Sequence, residues 1–476
     1  MNYLIKTTLT YTLTFSTYLG FAQKKIPVNT WLTKGDSTVL FGQQNTLFFA
    51  RANSKEKTNV IRVEPSKTYQ TIDGFGFALT QGSAMHMIRM NAGKRAALIK
   101  ELFDTAGKNI GISYIRLSIG ASDLNEKIFS YDDLPPGQSD TSLSKFDLGP
   151  DRNDVIPVMK EILAVAPNIR ILGSPWSPPA WMKTNGDTRG GRLKPEYYEA
   201  FAKYLLKYIQ EMNKEGIVID AITIQNEPLH PGNNPSLLMT APEQAIFIKE
   251  HLGPLFRTNA IKTKIIIYDH NADRPDYPIY ILDDPEARKY VDGSGFHLYG
   301  GEIQALSDVH DAHPDKHIYF TEQMVVQFGN RRNRDGNKLH IASPVADLFI
   351  GATRNWSRNV LEWNLAANSK FTPYTDRGGC SMCQGAVSID GDSVTRNLAY
   401  YAMAHASKFA RPGALRIASN ELKNLPNVAF KNEDGRVILL VANTTGEKQS
   451  FIIQYKGYTL STSLSPGSVA TYWWNG

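Results

Sequence analysis

Along the chain, short apolar runs rich in β-branched and aromatic residues alternate with longer stretches of helical periodicity. The short runs fall at residues 75–79, 114–121, 169–177, 221–227, 264–269, 295–299, 317–322 and 360–365. Between them, apolar positions recur with the period of an amphipathic helix at 84–103, 153–165, 195–212, 242–256 and 344–356. Pro195 and Pro242 stand where a first-turn proline is tolerated, because its missing N–H would have had no partner. Strand-then-helix steps repeated eight times predict an α/β fold, a (β/α)8 TIM barrel. An open, doubly wound sheet would need a glycine-rich phosphate loop after its first strand. Gly74-Phe75-Gly76-Phe77 does not satisfy that fingerprint.

The two flanks carry a different pattern. Residues 30–63 and 416–474 show alternating, strand-like runs with turn signals, such as Asn432-Glu433-Asp434-Gly435 before 436–442. Neither flank is long enough for a comfortable core of its own, so the two are expected to pair into one accessory β-sandwich. The first residues read as a leader. Lys6 supplies one positive charge, residues 7–21 are uncharged, and Gly20 and Ala22 are small residues placed as a signal-peptidase site requires. The expected organisation is a signal peptide at 1–22, sandwich strands at 23–70, the catalytic barrel at 71–410 and the remaining sandwich strands at 411–476. No later stretch is long and apolar enough to span a bilayer. An exported protein, periplasmic or secreted, without stable membrane insertion is therefore expected.

Composition narrows the function classes. With 42% hydrophobic and 21% charged residues the chain is an ordinary folded protein. Its net charge of +6 is diluted over 476 residues. The one short basic run, at 331–334, abuts Asp335 and reads as a solvated loop. Nucleic acid is not an expected partner. Of the two cysteines, Cys380 and Cys383, a C-x-x-C pair could be a redox centre, half a zinc site or a local disulfide. A zinc site needs about four ligands and no second Cys or Cys/His cluster supplies them. With export expected, a disulfide that staples its loop is the favoured reading.

Polar residues capable of chemistry gather at the C-terminal ends of the predicted strands, where barrel active sites are built. They include Arg116 and Asp123, Trp176, Asn226-Glu227-Pro228, Asp269-His270-Asn271, His297-Leu298-Tyr299, Glu322, and Glu362-Trp363-Asn364. A single strand-end carboxylate is most often a helix cap or an ion-pair partner. Seven such ends converging on one face carry more weight. Two glutamates on different strands, amid aromatics, Asn and His, suit cleavage of a glycosidic bond. That bond yields when its leaving oxygen is protonated while the anomeric carbon is attacked. Neither a G-x-S-x-G elbow nor an H-E-x-x-H zinc motif occurs in the chain.

Several motifs together resemble glycoside hydrolase family 30, which includes glucosylceramidases and β-1,6-glucanases. They are Asp73-Gly74-Phe75-Gly76, Tyr114-Ile115-Arg116-Leu117-Ser118, the segment from Ser174-Pro175-Trp176 to Thr184-Asn185-Gly186, Asn226-Glu227-Pro228, Glu322, and Trp363-Asn364-Leu365. The resemblance implies Glu227 as general acid/base and Glu322 as nucleophile, with Asn226 on the sugar 2-hydroxyl and Arg116 orienting Glu322. It further implies Asp123, Trp176 and Trp363 as sugar-binding positions, with His297 and Tyr299 beside the nucleophile. For Trp176 and Trp363 the other reading is packing at the barrel mouth, and for His297 a buried structural histidine. Phe77, Gln81, Leu298 and Gln323-Met324 depart from the family pattern, and residues 368–384, with both cysteines, enlarge the loop after strand eight. The activity implied is a retaining β-glycosidase acting on β-1,6-linked glucan or gluco-oligosaccharides. Alternatives are glucosylceramidase-type, β-xylosidase or β-fucosidase activity, or a non-catalytic sugar-binding barrel. No metal or organic cofactor is implied, and a retaining mechanism expects the two carboxyl groups about 5–5.5 Å apart.

Overall fold

The computed structural model describes residues 25–51, 59–326 and 339–476. The leader expected at 1–22 and the basic run at 331–334 lie outside the described residues. Eight parallel strands close into a barrel: Gly74–Leu79, Tyr114–Ile119, Arg170–Pro175, Ala221–Thr223, Lys264–Ala272, Val291–Gly301, His317–Glu322 and Ser357–Glu362. They are barrel strands one to eight below. Each overlaps one of the runs read from the sequence.

Side chains on alternate positions of a strand share a face, so the inner wall climbs in two-residue steps. Tyr114, Leu172, Ala221, Ile266, Tyr319 and Leu361 form one apolar cluster across the barrel interior. Two positions on, Arg116, Ser174, Thr223 and Thr321 replace it with polar groups, all buried. Two positions on from Ser174 and from Leu361, Trp176 and Trp363 begin the mouth. Strand five breaks the rhythm. Tyr268 pairs with Gly295 and His270 with Phe296, leaving Asp269 as an extra residue between them. Tyr268 and Asp269 both take positive φ, +71° and +64°. This bulge turns the Asp269 carboxylate into the polar layer, a device often found beside active sites.

The helices depart from the sequence reading in particular ways. The single helix expected at 84–103 is two, Gln81–Ile88 and Ala92–Phe103. Asn91 accepts from the Gly93 N–H and caps a fresh start, so the periodicity runs on while the axis is broken. Pro195 opens a short 3-10 turn, Pro195–Tyr197, ahead of helix Tyr198–Lys214. Thr240 and Glu243 form a capping box at the start of Ala241–Ile246, with Pro242 in its first turn. That helix widens into a π turn, Phe247–Leu252, before Gly253–Thr258. Pro254 lacks the N–H that would bond the Glu250 carbonyl and its ring crowds that carbonyl, which accounts for the widening.

The flanks meet in a ten-stranded sheet that folds back on itself. Ile26–Thr33 is shared between both faces: Ile26, Pro27 and Val28 pair with Phe49, Phe48 and Leu47, while Asn29 to Thr33 pair with Trp473 to Val469. The chain ends thus form one accessory β-sandwich, with Val28, Phe49, Ile61, Leu439, Tyr455 and Trp474 in its core. His405, on the last barrel helix Leu398–Ser407, joins the two units. Its ring bonds Thr33 Oγ1 at 2.8 Å and Thr471 Oγ1 at 2.9 Å, and burial pushes its pKa down to about 3. No helix among the described residues is long and apolar enough to cross a membrane.

Candidate active site

The polar layer of the barrel is organised around two buried charges. Arg116, on strand two, is only 1% exposed. Its guanidinium donates to Glu322 Oε2, to Asp269 Oδ2 at 2.8 Å, to Asn226 Oδ1 at 2.8 Å and to Ser174 Oγ at 3.1 Å. It also lies 4.9 Å from the Trp176 ring and 5.9 Å from that of Trp363, a cation over two aromatic faces. Asp269 is the opposite pole. It accepts from Arg116, Ser174, Thr223 and Thr321, and its Oδ1 lies 3.0 Å from His297 Nε2. Burial would raise its carboxyl, but Arg116 and His297 outweigh burial and hold it far below the usual range.

The two glutamates stand on this layer. One ligand oxygen of each, together with a ring nitrogen of His297, fall within 4.8 Å of one another. Glu322 ends strand seven and takes its second hydrogen bond from Tyr299 Oη, 3.0 Å from Oε1. Glu227 follows strand four at φ +45°, with Oε1 3.3 Å from His297 Nδ1 and Oε2 3.2 Å from Asn233 Nδ2. Asn364, after strand eight, is also at positive φ, +67°.

Protonation follows from who touches whom. Burial lowers His297, but the Glu322 charge and its contacts with Asp269 and Glu227 prevail and raise it to about 9. Burial pushes Glu227 up, and the hydrogen bond and charge of His297 overcome burial and hold it below its ordinary value. Glu322 is pushed up by burial; Glu227 and Asp269 add to that, and His297 and Arg116 oppose it. His297 and Glu227 thus share a proton as a pair, with the imidazole raised and Glu227 lowered. The two carboxyls differ in the kind of cation they meet. Glu322 pairs with a guanidinium, which never gives up its proton, and Glu227 with an imidazole, which can. Moving that proton to Glu227 creates a neutral acid and removes the negative charge that raises Glu322.

Both carboxylates line a pocket of about 170 Å³ with Asp123, Trp176, Trp363 and Cys383. Burial, then the charges of Glu322 and Glu227, push Asp123 up to about 8, and its Oδ1 is buried without a partner. Trp176 and Trp363 are 2% and 3% exposed, with ring centroids 5.2 Å apart. Cys380 and Cys383 are joined by a disulfide, and Cys383 packs with both tryptophans. Glu227, His297 and Glu322 are the one group among the described residues whose donor atoms could surround a cation. Arg116, Tyr299 and Asn233 already place hydrogens on those carboxylates, which leaves them arranged as a carboxylate pair.

Every site residue read from the sequence thus lies at one barrel mouth. Asp269 was visible only as a strand-end carboxylate, and nothing but the bulge gives it its role. Asn233 carries no sequence signal, because it lies in an irregular segment whose periodicity places nothing, and Met324 stands out only as a departure from the family pattern. Gln323, a departure from the family pattern, bridges strands: its side chain accepts from Leu298 N and its carbonyl from Trp363 N.

Comparison with known families decides the lineage. Residues 72–410 match the glycosyl hydrolase family 30 TIM-barrel domain. The chain belongs to glycosyl hydrolase family 30. Residues 413–472 match that family's β-sandwich domain, and the protein is a glycoside hydrolase. A family relative, endo-1,6-β-D-glucanase neg1 of Aspergillus fumigatus, is 34% identical over 429 residues, covering 85% of each chain. The lysosomal acid glucosylceramidase of Mus musculus is 28% identical over 448 residues, covering 89% of this chain and 85% of its own. Among solved structures, the endo-β1,6-glucanase BT3312 superposes with a TM-score of 0.85 at 31% identity, covering 94% of this chain and 99% of that one.

Proposed function

We propose that this family 30 hydrolase cleaves β-1,6-linked glucan or gluco-oligosaccharides by double displacement. Glu322 attacks the anomeric carbon and Glu227 protonates the departing oxygen. Glu227 then deprotonates the water that releases the sugar from Glu322. The observation that carries this reading is that one oxygen of the Glu227 carboxylate lies within 4.8 Å of one of Glu322, an approach that suits the short spacing of a retaining pair. Arg116 and Tyr299 would stabilise Glu322 as it leaves the sugar. Asn226 has its Oδ1 committed to Arg116, which frees its N–H groups for the 2-hydroxyl. The pocket volume suits one sugar ring, with Trp176 and Trp363 against its C–H surface and the unpaired oxygen of Asp123 for a hydroxyl. Support for a β-1,6 linkage comes from the relatives named above. The same reading carries the expected export: residues 1–22 would be removed, leaving sandwich strands at 23–70 and 411–476 around a barrel at 71–410.

An assay on β-1,6-glucan, gentiobiose-type disaccharides, aryl β-glycosides and glucosylceramide tests the assignment. Activity is expected to be highest on the β-1,6-linked substrates. Preference for glucosylceramide would move the protein to the second activity of its family, and binding without turnover of any substrate would leave a sugar-binding barrel.

A further inference from the structure

Glu227 is held from two sides, and only one holder sits on a barrel strand. His297 comes from strand six; Asn233, on the other oxygen, lies six residues past Glu227 in a segment without helix or strand. Such a segment does not fix a side chain by itself. The next residue does. Asn234 is fully buried, and its side-chain amide and carbonyl bond to neighbouring loops. Its Oδ1 accepts from Thr188 Oγ1 at 2.8 Å, its Nδ2 donates to the Asp376 carbonyl at 3.0 Å, and its own carbonyl accepts from Thr375 Oγ1. Gly378 lies flat against the same stretch at φ +142°: a Cβ there would stand 2.4 Å from the Gly232 carbonyl oxygen and 3.1 Å from the Asn233 carbonyl carbon. Arg377 pairs with Asp187 at 3.0 Å, and the Thr375 N–H donates to the Asp123 carbonyl at 2.9 Å. The loops after strands three, four and eight therefore lock together at Asn234.

We infer that Asn233 is a positioning residue for Glu227, fixed in place from across the barrel mouth by the strand-eight loop through Asn234 and Gly378. The inference rests on Glu227 being the acid/base. An N–H donated to a carboxylate fixes its rotation and favours its ionised form. With Oε2 tied to Asn233, Oε1 is kept on the His297 imidazole, with which Glu227 shares its proton. The charged and titratable groups facing Glu227 are His297, His270, His230, Glu322, Asp123, Tyr299 and Tyr268. Asn233 is uncharged, so its removal alters the hydrogen bonding of Glu227 without altering the charges around it.

The test is kcat/KM against pH for Asn233→Ala on two aryl β-glucosides, one with a good and one with a poor leaving group. The alkaline limb, which reports loss of the proton shared by His297 and Glu227 in the free enzyme, is expected to rise by up to about one pH unit. The loss should be about tenfold greater on the poor leaving group, which needs the proton. Gly378→Ala, whose Cβ would press on the Gly232–Asn233 backbone, should move the same limb in the same direction; Thr375→Val is the milder form of that change if Gly378→Ala does not fold. An unmoved limb in Asn233→Ala, or equal losses on both substrates, overturns the inference. Glu227→Gln separates it from the assignment beneath it. If Glu227→Gln loses both substrates equally, the acid/base role of Glu227 and the role of Asn233 fall together. If Glu227→Gln behaves as an acid knock-out but Asn233→Ala still lowers the rate in its background, only the role of Asn233 falls.

Discussion

Glu362 ends barrel strand eight with both carboxyl oxygens buried and unpartnered, and burial alone raises its pKa well above the usual range. The consequence for stability has a definite sign. Below about pH 4.3, the value of an unfolded glutamate, both states are protonated and the group is neutral in effect. Above it the unfolded chain releases its proton while the folded chain keeps it. Stability then falls with rising pH, by at most about 1.4 kcal/mol per unit, until the raised folded value is reached. Glu362→Gln should flatten that slope. Urea midpoints at about pH 5 and pH 8 should differ less in the variant than in the parent, whatever fixed cost the unpaired amide adds. An identical pH dependence in both chains would mean that Glu362 is not a neutral buried acid. Glu362 also marks a boundary of legibility. A strand-end Glu could be read from the sequence, but its direction, outward from Leu361 and Trp363, comes only from the register that places those two on the inner wall.

At the scale of elements, the loop after strand eight brings sulfur to the pocket itself. Cys383 packs on Trp176 and Trp363, and Met324 and Cys380 close against that cluster. A disulfide here limits how the wall can relax away from a bound sugar. Replacing both cysteines with serine should raise KM about tenfold, the effect of a misfitting apolar pocket wall. The effect should extend to a small aryl β-glucoside, with kcat largely kept. A lowered melting temperature with every KM unchanged would reduce the disulfide to a stabilising clip. The barrel strands were legible because each apolar run is short and bounded, and their two-residue steps carry over directly to Tyr114 and Arg116 or Leu361 and Trp363. Helix interruptions were not, because the Asn91 cap and the π turn before Pro254 leave the apolar period intact. The bulge at Asp269 was equally hidden, since it is set by pairing with Gly295 and Phe296, far along the chain.

Across the whole molecule, the fold brings the first and last described strands into one sheet and ties that sheet to the barrel through His405. The alternating flanks predicted a sandwich because neither could bury its own face. Which strand pairs with which was not legible, as Ile26–Thr33 divides its partners between Leu47–Arg51 and Val469–Asn475. The barrel so supported holds seven strand ends in fixed register around one pocket, and the central claim concerns what those ends do together. Its most direct test is the anomeric configuration of the sugar first released from a β-1,6-linked gluco-oligosaccharide, followed by proton NMR before mutarotation. Two inversions, at Glu322 and then at water, predict that the β-anomer appears first and the α-anomer only later. Initial release of the α-anomer would mean a single displacement and would contradict the assignment of Glu322 as nucleophile.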